Sequence, residues 1–209
     1  MEINSKSLEL IVNSINRYCG GTIDQAMGML EDKLVFWRWN KRIEYIEEAN
    51  KLLEKRGLSA PNKRVPPKLM LPLLDAAILE DDQELREKWT FMLANSADTS
   101  CPVDVKRCHV SLLENMTKFD ARLFDTLAQN EVEKGINGEK ACVNMCDYPN
   151  LIPNNDSGKI ENPSLKFEVE TSLNNLIRLG LLYNETAGAT PYWVRLSSLG
   201  KEFYHAIKN

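Results

Sequence analysis

Cysteine and histidine are the residues of this chain with the chemistry to bind a metal or act as nucleophiles. A structural zinc site needs two closely spaced ligand pairs to complete its tetrahedron. The candidate ligands are Cys101, Cys108, His109, Cys142 and Cys146. Their spacings, C-x6-C-H and C-x3-C, are not those of a zinc finger or a zinc ribbon. A Cys–His nucleophile is not indicated either, because no third group is placed to orient either histidine. We interpret the cysteines, including Cys19, as reduced thiols that pack as small hydrophobic side chains. We expect no cofactor, and a metal site remains the alternative.

The densest run of carboxylates, Glu80–Glu84, could in principle hold magnesium or serve acid–base chemistry. Carboxylates are also favoured at the start of a helix, where the helix dipole attracts negative charge. Asp81 followed by Glu84 is the pattern of a capping box. Because no second acidic cluster accompanies the run, we interpret it as the cap of a helix over 82–97 that buries Leu85, Trp89, Met92 and Leu93.

Aromatic and basic residues alternate in the stretch Phe36–Arg42. This pattern is compatible with stacking on RNA bases. It is more typical of a helix whose tryptophans lie in the core while neighbouring basic side chains extend along the apolar surface. We favour the second interpretation and name a candidate interaction surface made of Trp37, Arg38, Trp39, Lys41 and Arg42.

Helical periodicity extends through the first half of the chain. Apolar residues recur at helical spacing from Asp24 to Arg56, and Gly57 stands where a helix C-terminal glycine belongs. Such a helix would be roughly 50 Å long, with a broader apolar face than a small domain covers, so we expect a homo-oligomer. Further helices are predicted over 68–79, after Pro66–Pro67, and over 103–115. We therefore predict an N-terminal segment 1–23 followed by a helical bundle over 24–116.

The second half changes character. Thr117 and Asp120 form another cap-like pair for a helix over 119–129, and a long polar insertion, 130–163, contains one short strand candidate at 141–145. After the insertion, the sequence predicts a helix over 164–179 and a final helix from Ser197–Ser198. Between them it predicts two extended runs, at 181–183 and 192–196, around the loop 185–190. This order predicts a winged-helix-like domain over 117–209 with a small β-hairpin. The expected fold class is mainly α.

Composition excludes several classes of protein. The 209 residues are 43% hydrophobic, which suits a folded core, and 26 basic against 30 acidic residues give a net charge of −4. That balance does not favour nucleic acid as a partner, and the region 117–209 itself has ten basic and twelve acidic residues. The apolar stretch Leu8–Val12 is too short for a secretory signal, and no window is apolar enough to span a membrane. We expect a cytoplasmic protein.

The chain resembles the Abi-alpha family of bacterial proteins associated with abortive phage infection. The resemblance rests on the pattern from Val65–Pro66–Pro67–Lys68–Leu69 through Trp89 to Ala97, and on the terminal Leu196–Ser197–Ser198–Leu199–Gly200–Lys201–Glu202–Phe203. It covers about residues 24–209. The resemblance implies a cytoplasmic bacterial protein of antiviral defence, and it brings no catalytic residues to this chain.

Three hypotheses of function follow. The first is a defence protein, not an enzyme, that acts through protein contacts with a partner the sequence does not identify. The second is a nucleic-acid-binding regulator that uses the winged helix, which is an analogy of fold. The third is a toxin enzyme such as a nuclease, which would need carboxylates gathered from separate elements. We favour the first, because the charge is near neutral and no nucleophile–base pair is recognisable.

Overall fold

The structure is a computed structural model that describes residues 33–133, 143–144, 163–184 and 193–208, with side chains over 38–129, 167–184 and 194–208. These residues are mainly helical, which confirms the predicted α class. The helices are α1 Lys33–Lys55, α2 Pro67–Ala77, α3 Gln83–Ser96, α4 Arg107–Glu114, α5 Lys118–Glu133, α6 Pro163–Arg178 and α7 Ser198–Ile207. The strands are β1 Val143–Asn144, β2 Leu182–Asn184 and β3 Trp193–Leu196.

The chain divides into two compact units. One comprises Met1–Glu114 together with His205–Asn209, and the other comprises Asn115–Tyr204. The domain boundaries predicted from the sequence, 24–116 and 117–209, remain a prediction. The predicted segment 1–23, the first nine residues of the predicted long helix, most of the insertion 130–163 and the loop 185–190 lie outside the described residues.

Helix α1 ends as the sequence predicts. Gly57 has a φ of 82°, in the left-handed region that favours glycine. Its amide donates to the Glu54 carbonyl at 2.9 Å, and the Leu58 amide donates to the Leu53 carbonyl at 2.9 Å, which together satisfy two carbonyls of the last turn. The described part of α1 has 23 residues and is therefore roughly 35 Å long.

The core of the first unit is formed where α1 packs on α3, with α2 against both. All four predicted core residues of α3 are buried, and Trp89 is 2% exposed. Helix α2 begins with Pro67 in its first turn, where a missing amide hydrogen costs nothing. No helix in the described part of the chain is long and apolar enough to cross a membrane.

Helix α4 is shorter than the sequence predicts, because it begins at Arg107 rather than at Val103. The preceding residues are held in turns instead. The Asp98 carboxylate accepts the Ser100 amide at 2.8 Å, and His109 Nδ1 accepts the Lys106 amide at 3.2 Å, which fixes where the helix starts. Short polar side chains that bond to nearby amides compete with the helix in this way.

The second unit begins with the predicted cap of α5. The Thr117 amide donates to Asp120 Oδ2 at 2.8 Å, and the Asp120 amide donates back to Thr117 Oγ1 at 3.1 Å, so the capping box is confirmed. The Asp120 carboxylate is buried and also accepts Ser172 Oγ at 2.5 Å and Asn175 Nδ2 at 3.0 Å. The cap of α5 therefore also fastens α6 to it.

A small antiparallel sheet completes the second unit, with β3 between β1 and β2. The expected strands at 141–145, 181–183 and 192–196 are each present in shortened or shifted form. Leu182 pairs with Leu196, and Val143 pairs with Val194. After β3, Ser197 caps α7: its hydroxyl accepts the Gly200 amide at 2.9 Å and donates to the Gly180 carbonyl at 2.5 Å.

Candidate interaction surface

The five residues predicted as an interaction surface all lie on α1, and the structure gives them different environments. Arg38 is exposed, whereas Trp39, Lys41 and Arg42 are half-buried. The side chain of Trp37 lies outside the described residues. The interpretation of Trp39 as a core residue is therefore wrong in part, because this indole keeps a solvent-facing area.

Arg42 is the member of this surface that contacts a second helix. Its guanidinium forms an ion pair with Asp75 of α2 and lies over the Trp39 ring, 4.9 Å from the ring centroid. A cation over an indole face is attracted by the ring's negative quadrupole. Since the same guanidinium is bound by an indole and a carboxylate, Trp39 and Arg42 form a fixed pair that joins α1 to α2.

A second group of charges continues along α1 and joins it to α3. Lys41 pairs with Glu44 at 2.7 Å. Arg86 of α3 lies 3.8 Å from Glu44 and 3.7 Å from Glu48, and its guanidinium is 5.2 Å from the Tyr45 ring centroid. Pairs of this kind add little stability singly, but a connected network restrains the side chains that form it.

Tyr45 lies beneath this network and is 1% exposed. Burial raises the pKa of its phenol well above the ordinary value, and the positive charge of Arg86 offsets this only in part. Among the described residues its hydroxyl has no hydrogen-bond partner. Tyr45 therefore stays neutral at physiological pH and serves the packing of α1 on α3.

The acidic run at the start of α3 caps the helix, but through a different residue from the predicted one. Asp82 is the N-cap, and its carboxylate accepts the Glu84 and Leu85 amides at 2.9 and 3.3 Å. Asp81 is exposed, so its assignment as the cap is wrong by one position. The reason is that Glu80 accepts the Asp82 amide at 3.0 Å, a turn that brings the second aspartate to the cap.

The candidate metal ligands that the structure describes are not gathered. Cys101 is half-buried and Cys108 is exposed, whereas the adjacent His109 is fully buried with Nδ1 bonded to the Lys106 amide. Within the described ranges no three His, Cys, Asp or Glu side chains form a group that could hold a metal. Cys19, Cys142 and Cys146 lie outside those ranges.

Sequence reasoning missed a polar network at the end of α3. Asp98 is 1% exposed and pairs with Arg56 at 3.1 Å, while Arg56 also donates to Asn95 Oδ1 at 2.8 Å. The Asn95 amide lies 2.8–3.2 Å from three carbonyl oxygens at the end of α7. The signal available in the sequence was a polar Asn-Ser pair on the otherwise apolar face of a helix.

A cleft in the second unit was also not predicted. It has a volume of about 740 Å³ and lies between α5 and α6, lined among others by Phe119, Arg122 and Phe167. Phe167 is 69% exposed. The capping network of Asp120 forms one of its walls, so the polar groups there already have partners.

Together these features define a mainly helical protein with a small antiparallel sheet, whose α1 surface is held by ion pairs and by guanidinium groups lying over aromatic rings. The profile of a family described as abortive infection alpha matches residues 39–207. This is most of the chain, so the chain belongs to the abortive infection alpha family, as the resemblance in its sequence predicted. The match includes Trp39, Lys41 and Arg42 of the candidate surface. No curated protein and no solved structure matches the chain.

Proposed function

We propose that this protein serves bacterial defence by abortive infection, and that it acts in the cytoplasm through contacts with another protein rather than by catalysis. Membership of the abortive infection alpha family supports the first part. The second part is supported by the α1 surface, where the Trp39 ring and the Arg42 guanidinium lie against each other and Arg42 pairs with Asp75.

The observation that carries the proposal is the fixed Trp39–Arg42 pair. Tryptophan and arginine are the residue types most enriched among those that dominate binding energy at protein interfaces. Arg42 is already immobilised by Asp75 and by the indole ring. A partner that covers Trp39 would therefore lose little side-chain entropy in ordering this pair. Arg38, one position before the indole and exposed, lies at the edge of the same surface.

For the second unit we propose a winged-helix domain that packs or contacts protein. Support comes from the strand order β1-β3-β2 and from α6, which leads directly into β2 through Gly180. The alternative is a regulator that binds nucleic acid through α6. The described exposed side chains of α6 weigh against it, because they include one acid and one base: Phe167, Glu168, Thr171, Asn174 and Arg178. Duplex-binding helices instead present several basic groups to phosphates.

We also propose that the chain is a homo-oligomer, as the length of the predicted helix suggests, although the apolar residues Tyr45, Ile46 and Leu53 of α1 are buried within the first unit and do not supply the interface. A symmetric dimer buries the same face of both copies. Light scattering at micromolar concentration tests this, and a monomeric mass would refute it.

The proposed function is tested by phage plating on a sensitive host that expresses the protein. The Trp39→Ala and Arg38→Glu variants are expected to lose protection, since truncating an interface tryptophan costs about 2 kcal/mol, roughly thirtyfold in Kd. Lys201→Glu, an exposed charge reversal in the second unit, is the matched control and should protect like the wild type. Thermal melting of each variant separates loss of a contact from loss of fold. Full protection by both folded α1 variants would refute the proposal.

A further inference from the structure

Helix α2 is apolar on both of its sides. Of its 11 residues only Lys68 and Asp75 are polar. The inner side packs into the core of the first unit through Leu69, Met70, Leu73, Leu74 and Ala77. On the outer side Leu71 is 38% exposed. A helix that is hydrophobic all round is normally covered all round, so we expect another surface to pack on the outer side of α2.

The exposed residues of α2 and of the turn after it lie on one face. Spacings of three, four and four positions place on this face the exposed residues Lys68, Leu71, Asp75 and Leu79. Leu79 continues the helical path, because the preceding amide, that of Ile78, still donates to the Leu74 carbonyl at 3.1 Å. Its side chain is 70% exposed. We define these four residues as the α2 face, which carries two large apolar side chains where a solvent-facing helix is normally polar.

Charge is ordered along the same stretch of chain. Between positions 63 and 81 every basic residue stands before Leu69 and every acidic residue stands after Leu74. Lys68 accordingly lies in the first turn of α2 and Asp75 in its last turn, the ends at which the helix dipole disfavours these charges. A second copy of α2 that runs antiparallel brings bases beside acids, whereas a parallel copy brings like charges together. Charge complementarity therefore favours an antiparallel copy of the same face as the covering surface.

A two-fold axis relates two antiparallel copies of one face. When Lys68 lies opposite the partner's Asp75, the axis passes between positions 71 and 72, and the two Leu71 side chains lie side by side. Asp75 already pairs with Arg42 of its own chain, but its side chain remains 56% exposed. Since a carboxylate accepts several hydrogen bonds, Asp75 can bind both cations.

We propose that the α2 face is the contact between two copies of this chain in a symmetric dimer. The proposal rests on the homo-oligomer proposed above and names a surface for it that α1 does not supply. A helix of 11 residues is roughly 16 Å long. Two such helices bury a small area, so the dimer belongs to the weak class of interfaces and forms at micromolar concentration.

The test is sedimentation velocity of the full chain in a concentration series that extends to about 200 µM. The wild type should pass from monomer to dimer. Lys68→Glu alone sets two acids against each other at both ends of the contact, and Asp75→Lys alone sets two bases there. Each variant should therefore dimerise at least about tenfold more weakly than the wild type. An equimolar mixture of the two variants should recover the dimer, because an acid then meets a base at both ends.

A third variant tests the centre of the α2 face. Leu71→Glu places two acids beside the two-fold axis and should abolish the dimer. The matched control is Phe167→Glu, the same kind of change at an exposed apolar side chain of the second unit, which should dimerise like the wild type. Thermal melting shows whether each variant folds, which matters most for Asp75→Lys because it also loses the pair with Arg42.

The outcomes separate this proposal from the one on which it rests. A wild type that stays monomeric throughout the series overturns both. A wild-type dimer that persists in folded Leu71→Glu and Lys68→Glu keeps the homo-oligomer and overturns the α2 face. A mixture of the two folded charge variants that stays monomeric, or a Phe167→Glu control that loses the dimer as Leu71→Glu does, also overturns the α2 face.

Discussion

Asp98 is a buried carboxylate whose hydrogen bonds determine how the first unit responds to acid. Burial alone would raise its pKa, but the hydrogen bonds from Ser100 and Arg56 outweigh burial and leave the pKa below its ordinary value. A carboxyl with a lowered pKa in the folded state contributes stability above its unfolded pKa of about 3.9. That contribution is lost as the pH falls towards the folded pKa.

We predict that Asp98→Asn removes part of the acid sensitivity of the protein. At pH 7 the free energy of unfolding should fall by about 1–3 kcal/mol, because Arg56 loses its buried charged partner. Below about pH 4 the difference from the wild type should narrow, because the unfolded wild-type chain then binds a proton at Asp98 more readily than the folded one does. Urea denaturation at a series of pH values measures both effects, with the exposed Asp81→Asn as control. Parallel pH profiles for the wild type and Asp98→Asn would show that Asp98 does not contribute to the acid sensitivity of the protein.

The close packing around Gly200 explains why a glycine stands at this position of the terminal Leu-Gly pattern. A Cβ at this position would lie 2.2 Å from the Leu181 carbonyl oxygen, a backbone atom that cannot move away freely. We predict that Gly200→Ala lowers the free energy of unfolding by about 2–4 kcal/mol. Gly57→Ala is the contrasting variant: it meets open space at a φ of 82° and should cost about 1 kcal/mol. Equal effects of the two in denaturant unfolding would show that close approach is not the reason for Gly200.

At the scale of elements, variants of Asp81 and Asp82 at the start of α3 distinguish a capping role from a catalytic one. Asparagine caps a helix about as well as aspartate, so the double variant Asp81→Asn with Asp82→Asn should keep both stability and protection against phage. Asp82→Ala should cost about 1 kcal/mol, because two amides lose their acceptor. Denaturant unfolding and phage plating measure the two properties. If the asparagine variant folds but loses protection, these carboxylates take part in chemistry and the capping interpretation is insufficient.

Most helices could be predicted because their ends are encoded by local residues. Gly57, Gly180 and the Thr117–Asp120 pair each act within one turn, and each does what the sequence predicts. The errors arose where two local signals competed. Asp81 and Asp82 are both suitable caps, and the turn formed by Glu80 decides between them.

The features that sequence reasoning missed depend on residues distant in the chain. Asn95 meets the end of α7 more than a hundred positions later, and no periodicity or spacing signals such a contact. The Arg42–Asp75 pair likewise requires knowing that α1 packs on α2.

At the scale of the whole molecule, the two units carry different features. The first unit carries the α1 surface with Trp39 and Arg42. The second unit carries the sheet and the cleft beside Phe167, and it has nine basic against twelve acidic residues. The central claim is that the α1 surface contacts a protein during infection.

The most direct measurement of that claim is recovery of the tagged protein from infected cells after nuclease digestion, followed by identification of what remains bound. We predict a protein partner that is retained by the wild type and by Lys201→Glu, and is lost with the folded Trp39→Ala variant together with protection. The claim is contradicted if the bound material is nucleic acid that disappears on digestion, or if Trp39→Ala retains the same partner while protection is lost.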